Sequence, residues 1–405
     1  MINRLPISDC CVTCCACIDS CKHNALQRKI DQDGYYFIET NADKCIGCGA
    51  CEKKCPVLNE VEKSHVSSSF WAWTKNEKVR ANSTSGGAFA QLALNFFDRY
   101  DDAVVVGATL VDGKKVRHIS IHDKREIKKL QGSKYQQSDC TGIYNETQRY
   151  LKEGRHVLFS GTPCQVAAIK KFSSRFLDNL VTCEVICHGI PSQVHFNLSI
   201  ERNKATKILK FRDKEEKKWD KGCCALYDNN ILQYKGYFYD CFFNDLFLKP
   251  ACYNCKFASM PRVADISIAD GWGVQNSDIK REIYQDGISL VLVNRPEVKS
   301  LFDAQFNVLH AKWNHFIPHN PCVIMNLSYL KHLSLSHQIH RIMRLPNNLR
   351  DYIFRLKSPK KGWGILAKLY IIAMLKLKER AERKKQQTIK HFLKNIDDDK
   401  TFRLY

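Results

Sequence analysis

Apolar and polar positions through the central part of the chain follow the periods of strands and helices in turn. Short apolar runs bounded by turn residues predict strands, and apolar residues that recur at helical spacing predict helices. The predicted strands are residues 103–107, 116–121, 157–159, 181–186 and 287–294, and the predicted helices are residues 88–97, 142–152, 165–172 and 193–203. This alternation predicts an α/β layer built around a mixed sheet.

The two ends of the chain show different patterns. Two short extended stretches, residues 25–30 and 35–39, surround a turn and predict a small β-hairpin. Residues 60–69, which include three consecutive serines, are expected to form a linker. Apolar residues recur at helical spacing between Ile365 and Leu377, and many basic residues follow them. We therefore expect a helical basic tail.

Composition narrows the class of protein. A chain of 405 residues allows roughly two to three domains, and its 44% hydrophobic and 26% charged residues are ordinary for a globular protein. The formal net charge of +21 predicts an anionic partner, but it does not choose among nucleic acid, a lipid surface, a phosphorylated substrate and an acidic protein. Between Asp351 and Lys394, 13 Lys or Arg stand against 3 Asp or Glu, so nearly half of the charge lies in the tail.

The cellular location is inferred from the same patterns. Residues 1–6 lack the apolar core of a secretory signal, so we expect reduced thiols and a cytoplasmic protein. The best candidate for a membrane span, residues 365–377, contains Lys368 and Lys376 and is too short to cross a bilayer. Two interpretations of the tail stay open. It is either a helix that binds the anionic inner membrane surface, or a helix packed on the domain with a solvated basic end.

Cysteines give the strongest chemical signal. Ten of the 20 cysteines lie between Cys10 and Cys55. Two runs, Cys11-x2-Cys14-x2-Cys17-x3-Cys21 and Cys45-x2-Cys48-x2-Cys51-x3-Cys55-Pro, have the spacing of bacterial two-cluster ferredoxins. In that arrangement the fourth thiolate of each run binds the other cluster. The predicted ligand sets are therefore Cys11, Cys14, Cys17 and Cys55 for one 4Fe-4S cluster, and Cys21, Cys45, Cys48 and Cys51 for the other.

Zinc is the main alternative for these cysteines. A zinc site takes four ligands, commonly from two paired knuckles, whereas here eight thiolates stand in two runs of four. The spacing favours two 4Fe-4S clusters. Two clusters in one module indicate an electron relay, because a scaffold needs only one.

The rest of the chain contains an ordered set of short motifs. They are Ser85-Gly-Gly-Ala-Phe89, Gln131-Gly-Ser-Lys-Tyr135, Leu158-Phe-Ser-Gly-Thr-Pro-Cys-Gln165, Cys187-His-Gly-Ile-Pro191, Phe211-Arg-Asp-Lys214, Cys252-Tyr-Asn-Cys255 and Asp265-Ile-Ser-Ile-Ala-Asp-Gly-Trp272. Together with the cysteine runs, this set resembles the beta-subunit family of the coenzyme F420 (deazaflavin) hydrogenases and dehydrogenases. The resemblance covers about residues 8–320.

The resemblance implies an iron-sulfur flavoprotein. Members of the family use FAD to pass electrons between clusters and a small organic acceptor. Relatives with this ferredoxin-first layout are frequent in bacterial polysaccharide-biosynthesis gene sets. The resemblance does not imply that the deazaflavin coenzyme itself is used.

Three of the motifs suggest where a flavin binds. Ser85, Gly86 and Gly87 precede an apolar helix and allow a phosphate to approach backbone amides, although an ordinary helix N-cap has the same composition. Lys134 offers a counter-charge and Tyr135 a stacking surface, unless residues 131–135 are only a basic surface turn. Gly161 and Thr162 form a turn between a strand and a helix, and Pro163 suits the first position of that helix.

A third cluster is a further expectation. Cys252 and Cys255 form a two-ligand knuckle that needs two more thiolates, and the candidates are Cys164, Cys183 and Cys187. The predicted set is Cys164, Cys187, Cys252 and Cys255. A zinc knuckle or simple packing remains the alternative. His188 and Lys134 are the candidate proton donors at the flavin. Asp270 is the expected acidic site residue, because it stands at the carboxyl end of a buried strand.

These observations predict an α+β or α/β protein in four parts. Residues 1–62 form a ferredoxin-type domain, 70–257 an α/β flavin-binding core, 258–345 the remainder of the beta-subunit region and 346–405 the basic tail. The predicted function is oxidoreduction that links a ferredoxin-like donor, two 4Fe-4S clusters, FAD and a small-molecule substrate. The alternative is a non-catalytic electron carrier or docking subunit for a separate enzyme. A nucleic-acid partner is not expected, because no base-reading or phosphate-reading motif is present.

Overall fold

The computed structural model describes Leu5 and residues 10–214, 218–222, 224–234, 237–243, 245, 247–325 and 365–396. The strands are β1 (Leu26–Ile30), β2 (Tyr36–Thr40), β3 (Ser68–Thr74), β4 (Val104–Val111), β5 (Lys115–Ile121), β6 (Val157–Gly161), β7 (Leu180–Val185), β8 (Ile208–Lys210), β9 (Cys224–Tyr227), β10 (Leu232–Tyr234), β11 (Ile266–Asp270), β12 (Ser289–Val293) and β13 (Phe306–His310). The helices are α1 (Ala16–Ser20), α2 (Ala50–Lys54), α3 (Glu77–Asn82), α4 (Ala88–Arg99), α5 (Ile143–Lys152), α6 (Pro163–Phe172), α7 (Gln193–Arg202), α8 (Tyr237–Phe243), α9 (Pro250–Tyr253), α10 (Arg281–Tyr284), α11 (Trp313–Phe316) and α12 (Ile365–Lys394).

A mixed sheet organises the protein, as the sequence predicts. Its strand order is β13-β3-β12-β11-β7-β6-β4-β5. The four central strands, β11, β7, β6 and β4, are parallel, and the outer strands pair antiparallel. Most residues of the central strands are apolar because helices cover both faces of the sheet.

The two faces of the sheet bury separate cores. On one face, α5 and α6 pack with Val104, Val157 and Phe159. On the other face, α4 packs with Val105, Leu158 and Val291. Alternate residues of one strand therefore enter opposite cores, as the pleat of a strand requires.

The N-terminal cysteine segment packs directly against the first of these cores. Val12, Cys14, Cys15 and Ala16 are buried in the same cluster as α5 and α6. Asp19 accepts hydrogen bonds from the backbone N–H groups of Gly142, Tyr144 and Asn145, and so it caps the start of α5. The predicted hairpin is present as β1 paired with β2. These contacts fix the cysteine loops relative to the sheet.

Two of the predicted boundaries need correction. Residues 60–69 are not a free linker, because Ser64 pairs with Arg262 and β3 begins at Ser68 inside the main sheet. The boundary placed between residues 257 and 258 also divides one sheet, since β11, β12 and β13 pair with one another or with β3 and β7. The sequence did not predict β3, because the three serines Ser67–Ser69 are typical of a loop. Its serines are instead buried or half-buried between neighbouring strands.

A smaller layer stands beside the main sheet. The strands β10, β9 and β8 form a separate antiparallel sheet, and α7 and α8 pack against it. Aromatic side chains fill this core, among them Phe196, Phe211, Phe238 and Phe247. This layer places residues 209–214 near the main sheet.

The C-terminal helix α12 packs on the folded protein through its second half. Ala381 is buried in the aromatic core of the small layer, and Ile389 is buried beside Trp313 in a fourth core. The rings of Trp313 and Phe392 are 5.9 Å apart. Arg380, Arg383 and Lys384 of the same helix are exposed. Within the described residues, no helix has the length and apolar character that a membrane span needs.

Candidate functional site

The carboxyl ends of β6, β7 and β11 meet at one edge of the main sheet, because these strands are parallel neighbours. Ligands bind at this edge in open α/β sheets. Here the edge borders a cavity of about 350 Å³, which we call the large cavity. Its volume lies within the range of small-molecule sites.

Most residues predicted to bind a cofactor line the large cavity. They are Ser85, Gly87, Lys134, Tyr135, Gly161, Thr162 and Asp270, and the candidate proton donor His188 lines it too. The fold thus gathers motifs from distant parts of the chain into one place.

Gly86 is placed differently from this prediction. It does not line the large cavity. A Cβ at this position would lie 2.4 Å from the Ala72 carbonyl oxygen and 2.7 Å from the Ser289 backbone nitrogen. The residue is therefore a glycine because β3 and β12 approach it closely, which is a structural requirement rather than a ligand contact.

The turn after β6 has the predicted form. Pro163 is the first residue of α6, and the Thr162 backbone N–H donates to Gln165 Oε1 at 2.9 Å. Thr162 Oγ1 lies 3.2 Å from Cys164 Sγ. Tyr135, in contrast, packs at steep ring angles against Phe211 and Phe242, at centroid distances of 5.9 and 5.3 Å. It belongs to an aromatic wall of the cavity.

Lys134 is held without a carboxylate partner among the described residues. Its Nζ donates to the carbonyl oxygens of Leu130 and Gln131, each at 2.8 Å. Burial lowers the pKa of Lys134 to about 7, because removal from water disfavours the charged ammonium. Two of its three N–H donors are used by these carbonyls, so one remains for the cavity.

His188 lies between the large cavity and a smaller cavity behind it. Its Nε2 is 2.7 Å from Asp245 Oδ1 and 3.1 Å from the Phe242 carbonyl oxygen. Burial alone lowers the pKa of His188, but the Asp245 carboxylate overcomes this and raises it well above its usual range. Because Nε2 pairs with Asp245, that carboxylate sets the orientation of the His188 ring, rather than a group in the large cavity.

Asp270 stands at the end of β11 and lines the large cavity, as predicted. Its carboxylate pairs with Arg212 and accepts a hydrogen bond from Trp219 Nε1 at 3.3 Å. Asp265, at the other end of the strand, accepts from the Thr182 backbone and hydroxyl at 2.7 and 2.8 Å. Asp265 is thus a buried structural carboxylate, and Asp270 is the one that faces the site.

Sequence reasoning missed His118 as a residue of this cavity. Its Nδ1 is 2.7 Å from Ser138 Oγ and its Nε2 is 2.9 Å from the Ser160 carbonyl oxygen. Burial lowers the pKa of His118 to about 4, so the ring is neutral near pH 7. A buried histidine on an edge-side strand has no local sequence signal, and only the pairing of β4 with β5 brings it to the site.

Each N-terminal cysteine set surrounds its own small cavity. One cavity is lined by Cys11, Cys14, Cys17 and Cys55, with Cys15 as a further thiol, and the other by Cys21, Cys45, Cys48 and Cys51. These are the two sets that the spacing predicts. Each loop turns into its helix through a left-handed residue, Cys15 at φ 71° before α1 and Gly49 at φ 72° before α2. The two loops are therefore local copies of one backbone conformation.

A third cavity collects the remaining predicted cysteines. Cys164 at the start of α6, Cys187 after β7, and the knuckle Cys252 and Cys255 all line it. The Ile190 backbone N–H donates to Cys252 Sγ at 3.3 Å. Cys322 also lines this cavity, so a fifth thiol is present that sequence spacing did not single out.

The cysteine cavities lead toward the large cavity. Val12 lines both the Cys11 cavity and the third cavity. Cys164, Cys187, His188, Gly189 and Ile190 line both the third cavity and the large cavity. Cys17 and Cys51, from the two N-terminal sets, share one hydrophobic cluster. The four cavities are thus neighbours in a fixed order.

Thiol chemistry and spacing at these cavities suit iron-sulfur clusters. Burial raises the pKa of Cys14, Cys17, Cys164 and Cys187, and neighbouring thiols raise it further. Burial thus favours the protonated thiol at these positions, and a bound metal would offset the cost of forming the thiolate. Among the described residues, no three His, Cys, Asp or Glu side chains converge on a single metal ion.

Comparisons with known proteins agree with this organisation. A 4Fe-4S binding domain model matches residues 38–58. Models described as coenzyme F420 hydrogenase/dehydrogenase, beta subunit, match residues 69–143 with the N-terminal part and residues 154–312 with the C-terminal part. The protein is therefore an iron-sulfur electron-transfer protein of the oxidoreductase class.

Within that class the chain belongs to the coenzyme F420 hydrogenase/dehydrogenase beta-subunit family, which the two adjacent matches identify. Its binding of 4Fe-4S clusters is supported by the ferredoxin-type domain and by curated relatives.

Two curated relatives are similar to a short part of the chain. Ketoisovalerate oxidoreductase subunit VorC of Methanothermobacter marburgensis is 36% identical over 64 residues, which are 15% of this chain and 76% of the relative. Ferredoxin-type protein NapF of Haemophilus influenzae is 38% identical over 60 residues, which are 14% of this chain and 34% of the relative. The chain thus spans about a third of the length of NapF.

A solved structure is similar over a larger part of the chain. It is a chain of the F420-reducing [NiFe] hydrogenase complex from Methanosarcina barkeri, with 17% identity and a TM-score of 0.47. The similarity covers 69% of this chain and 91% of the other.

Proposed function

We propose that the protein is an iron-sulfur flavoprotein oxidoreductase that conveys electrons between a ferredoxin-like partner and a small-molecule substrate. The observation that supports this most is the fixed order of the four cavities, from the exposed Cys48 loop to the large cavity. A structural cluster alone gives no reason for such an order.

We infer three 4Fe-4S clusters and one FAD. The ligands are the two N-terminal sets of four cysteines and the set Cys164, Cys187, Cys252 and Cys255. When bound, the clusters supply one-electron carriage and FAD supplies exchange between one-electron and two-electron chemistry.

The protein's own residues have distinct tasks in this proposal. Ser85, Gly87, Gly161 and Thr162 bind the cofactor in the large cavity, and Tyr135 and its aromatic neighbours exclude water from it. Asp270 is oriented by Arg212.

Lys134 is the preferred proton donor. Its pKa of about 7 suits proton transfer near neutral pH, and one of its N–H groups is unused by the carbonyls that hold it. His188 is the second candidate, and its pairing with Asp245 makes it a positively charged neighbour of the third cavity.

The alternative function is a non-catalytic subunit that carries electrons to a separate enzyme. The relatives named above include subunits of larger oxidoreductases, which supports a protein partner in either case. A substrate-sized cavity beside the cysteines favours the catalytic proposal. A role in polysaccharide biosynthesis remains a hypothesis from the family resemblance.

Electron flow to the bound flavin tests the proposal. Anaerobic protein that contains flavin is mixed with a reduced ferredoxin, and flavin bleaching is followed by stopped-flow absorbance. We expect Cys252→Ser to slow bleaching at least about tenfold, while the exposed Cys10→Ser, which lines none of the four cavities, leaves the rate unchanged. Equal rates in both variants contradict the relay. Clusters without flavin in the wild-type protein support the alternative.

A further inference from the structure

A second roomy cavity adjoins the large cavity. It measures about 460 Å³, and we call it the basic cavity. Its walls are residues 81–84, the end of β4, residues 128–134 and residues 209–214. Ser83, Thr84 and residues 131–134 line both cavities, so a single ligand can extend from one into the other.

The walls of the basic cavity are strongly cationic. They contain six basic side chains, Lys128, Lys129, Lys134, Lys210, Arg212 and Lys214, and one acidic side chain, Asp213. Asp213 is 2.7 Å from Lys210, Lys129 pairs with Glu126, and Arg212 pairs with Asp270. When these three carboxylates are set against three of the basic side chains, Lys128, Lys134 and Lys214 are left. Burial lowers the pKa of Lys134 and of Lys214 to about 7, so these two are partly charged near neutral pH.

Two of these lysines are held by backbone carbonyl groups. Within the part of the chain that the structure describes, Lys128, Lys134 and Lys214 make no ion pair. Lys214 Nζ instead donates to the carbonyl oxygens of Arg80, Ser85 and Asp286 at 2.6, 3.0 and 2.8 Å. Half-buried amino groups that are hydrogen-bonded to carbonyl oxygens carry positive charge when protonated, and an anion in the cavity can supply a counter-charge.

Neutral hydrogen-bonding groups complete the walls. The hydroxyls of Ser83, Thr84 and Ser133 lie among the lysines. The Ser133 backbone N–H donates to Thr84 Oγ1 at 2.8 Å, and Gln131 Nε2 donates to Ser83 Oγ at 3.0 Å. These bonds fix the two loops that separate the cavities. Lysines and hydroxyls around one space are typical of phosphate sites in proteins.

We propose that the basic cavity binds a phosphate group of the small-molecule substrate, whose remaining part reaches the large cavity. The proposal rests on the proposed function, since it assigns a chemical class to the substrate of the same site. A phosphorylated organic molecule is complementary in charge to the lysines, and its size exceeds that of inorganic phosphate alone. The diphosphate of FAD has the same chemistry, so the experiment must separate the two sources.

The experiment titrates inorganic pyrophosphate into anaerobic, flavin-loaded, full-length protein by isothermal titration calorimetry. The test variant is Lys128→Gln/Lys210→Gln, whose two lysines are exposed at the rim of the basic cavity. The matched control is Lys114→Gln/Lys115→Gln, which removes the same charge from the exposed turn between β4 and β5. We expect wild-type and control to bind alike and the test variant to bind about tenfold more weakly.

Other outcomes overturn the proposal. If both variants bind pyrophosphate equally weakly, its affinity depends only on the net charge of the protein. Binding by flavin-free protein but not by flavin-loaded protein means that the flavin's own diphosphate occupies the basic cavity. No binding in either form means that the cavity is not an anion site. Flavin content, measured on the same samples, shows separately whether the proposed function itself has failed.

Discussion

Gly86 and Gly132 show how differently two glycines of the same site act. Gly86 is enclosed by the backbone of β3 and β12, whereas a Cβ on Gly132 would have no neighbour within 4 Å. The constraint at Gly132 is its left-handed backbone conformation, with φ at +83°. The first position therefore forbids a side chain by contact, and the second disfavours it by conformation.

We predict that Gly86→Ala destabilises the protein severely, because two backbone segments must move apart. Gly132→Ala should cost only about 1 kcal/mol, the penalty for a left-handed alanine. Thermal unfolding midpoints of the two variants check this. A smaller shift for Gly86→Ala than for Gly132→Ala contradicts the placement of Gly86 against β3.

Lys134 gives a prediction about pH. Its pKa is about 7 in the folded protein against an ordinary 10.5, so between these values the unfolded chain binds the extra proton. The contribution of Lys134 to the free energy of unfolding therefore increases with pH across that window, by at most about 1.4 kcal/mol per pH unit. Below pH 7 the buried ammonium costs the most.

We expect Lys134→Met to be more stable than wild-type at pH 6.5, and we expect the difference in unfolding midpoint to shrink by pH 9. Exposed Lys128→Met is the control, and its difference from wild-type should not change with pH. A difference for Lys134→Met that is equally large at both pH values contradicts a lowered pKa for this residue.

At the scale of elements, the packing of α12 bears on the two interpretations of the tail. Ala381, Ile389 and Phe392 pack into two cores, which agrees with a helix that belongs to the folded protein. The exposed Arg380, Arg383 and Lys384 lie on the same helix. The side chains of residues 365–375, on which the apolar stripe depends, lie outside the described residues.

We predict that deletion of residues 365–405 lowers the unfolding midpoint by several degrees, because it uncovers the apolar side chains around Trp313. Arg380→Gln/Arg383→Gln, which changes only exposed charge, should leave the midpoint unchanged and weaken any binding to anionic liposomes in a co-sedimentation assay. Unchanged stability after the deletion contradicts the packing. Equal recovery with anionic and neutral liposomes in all variants excludes the membrane interpretation.

Elements also show how far the sequence could predict the fold. Turn residues border the apolar runs of β6, β7 and β12. The predicted positions of these strands agree with the structure within one or two residues. β3 was missed because its serines have no apolar alternation, although pairing on both sides holds it in the sheet. The short strands β8, β9 and β10 depend on aromatic packing from distant residues, which no local pattern reveals.

The part of the candidate site that could be predicted is the part where the spacing of the cysteines alone indicates the chemistry. In the ferredoxin pattern the first three cysteines of each run share a cluster and the fourth binds the other one, so the two N-terminal sets could be predicted from the chain. Arg212, Lys214 and Cys322 could not, because they lie on loops whose position is fixed only by the small layer and by the segment after β13. The sequence shows the types of these residues, but it does not show which distant segments the fold brings together.

At the scale of the whole molecule, hydrogen bonds attach the segment with the two N-terminal cysteine runs to the rest of the protein. Asp19 caps α5, and Tyr144 Oη donates to the Cys14 carbonyl oxygen at 2.8 Å. Lys54 Nζ donates to the Phe172 carbonyl oxygen at 2.6 Å. Rigid attachment keeps the distances between cavities constant, which is what electron transfer between fixed centres requires.

The count of iron, sulfide and flavin in anaerobically purified protein tests the central claim most directly. Three 4Fe-4S clusters and one FAD predict about 12 iron, 12 sulfide and one flavin per chain, falling to about 8 iron in both Cys14→Ser and Cys252→Ser. Cys322→Ser, at the same cavity as Cys252, should keep all of its iron. About 8 iron in the wild-type protein, with no loss in Cys252→Ser, contradicts a cluster between the ferredoxin-type module and the large cavity.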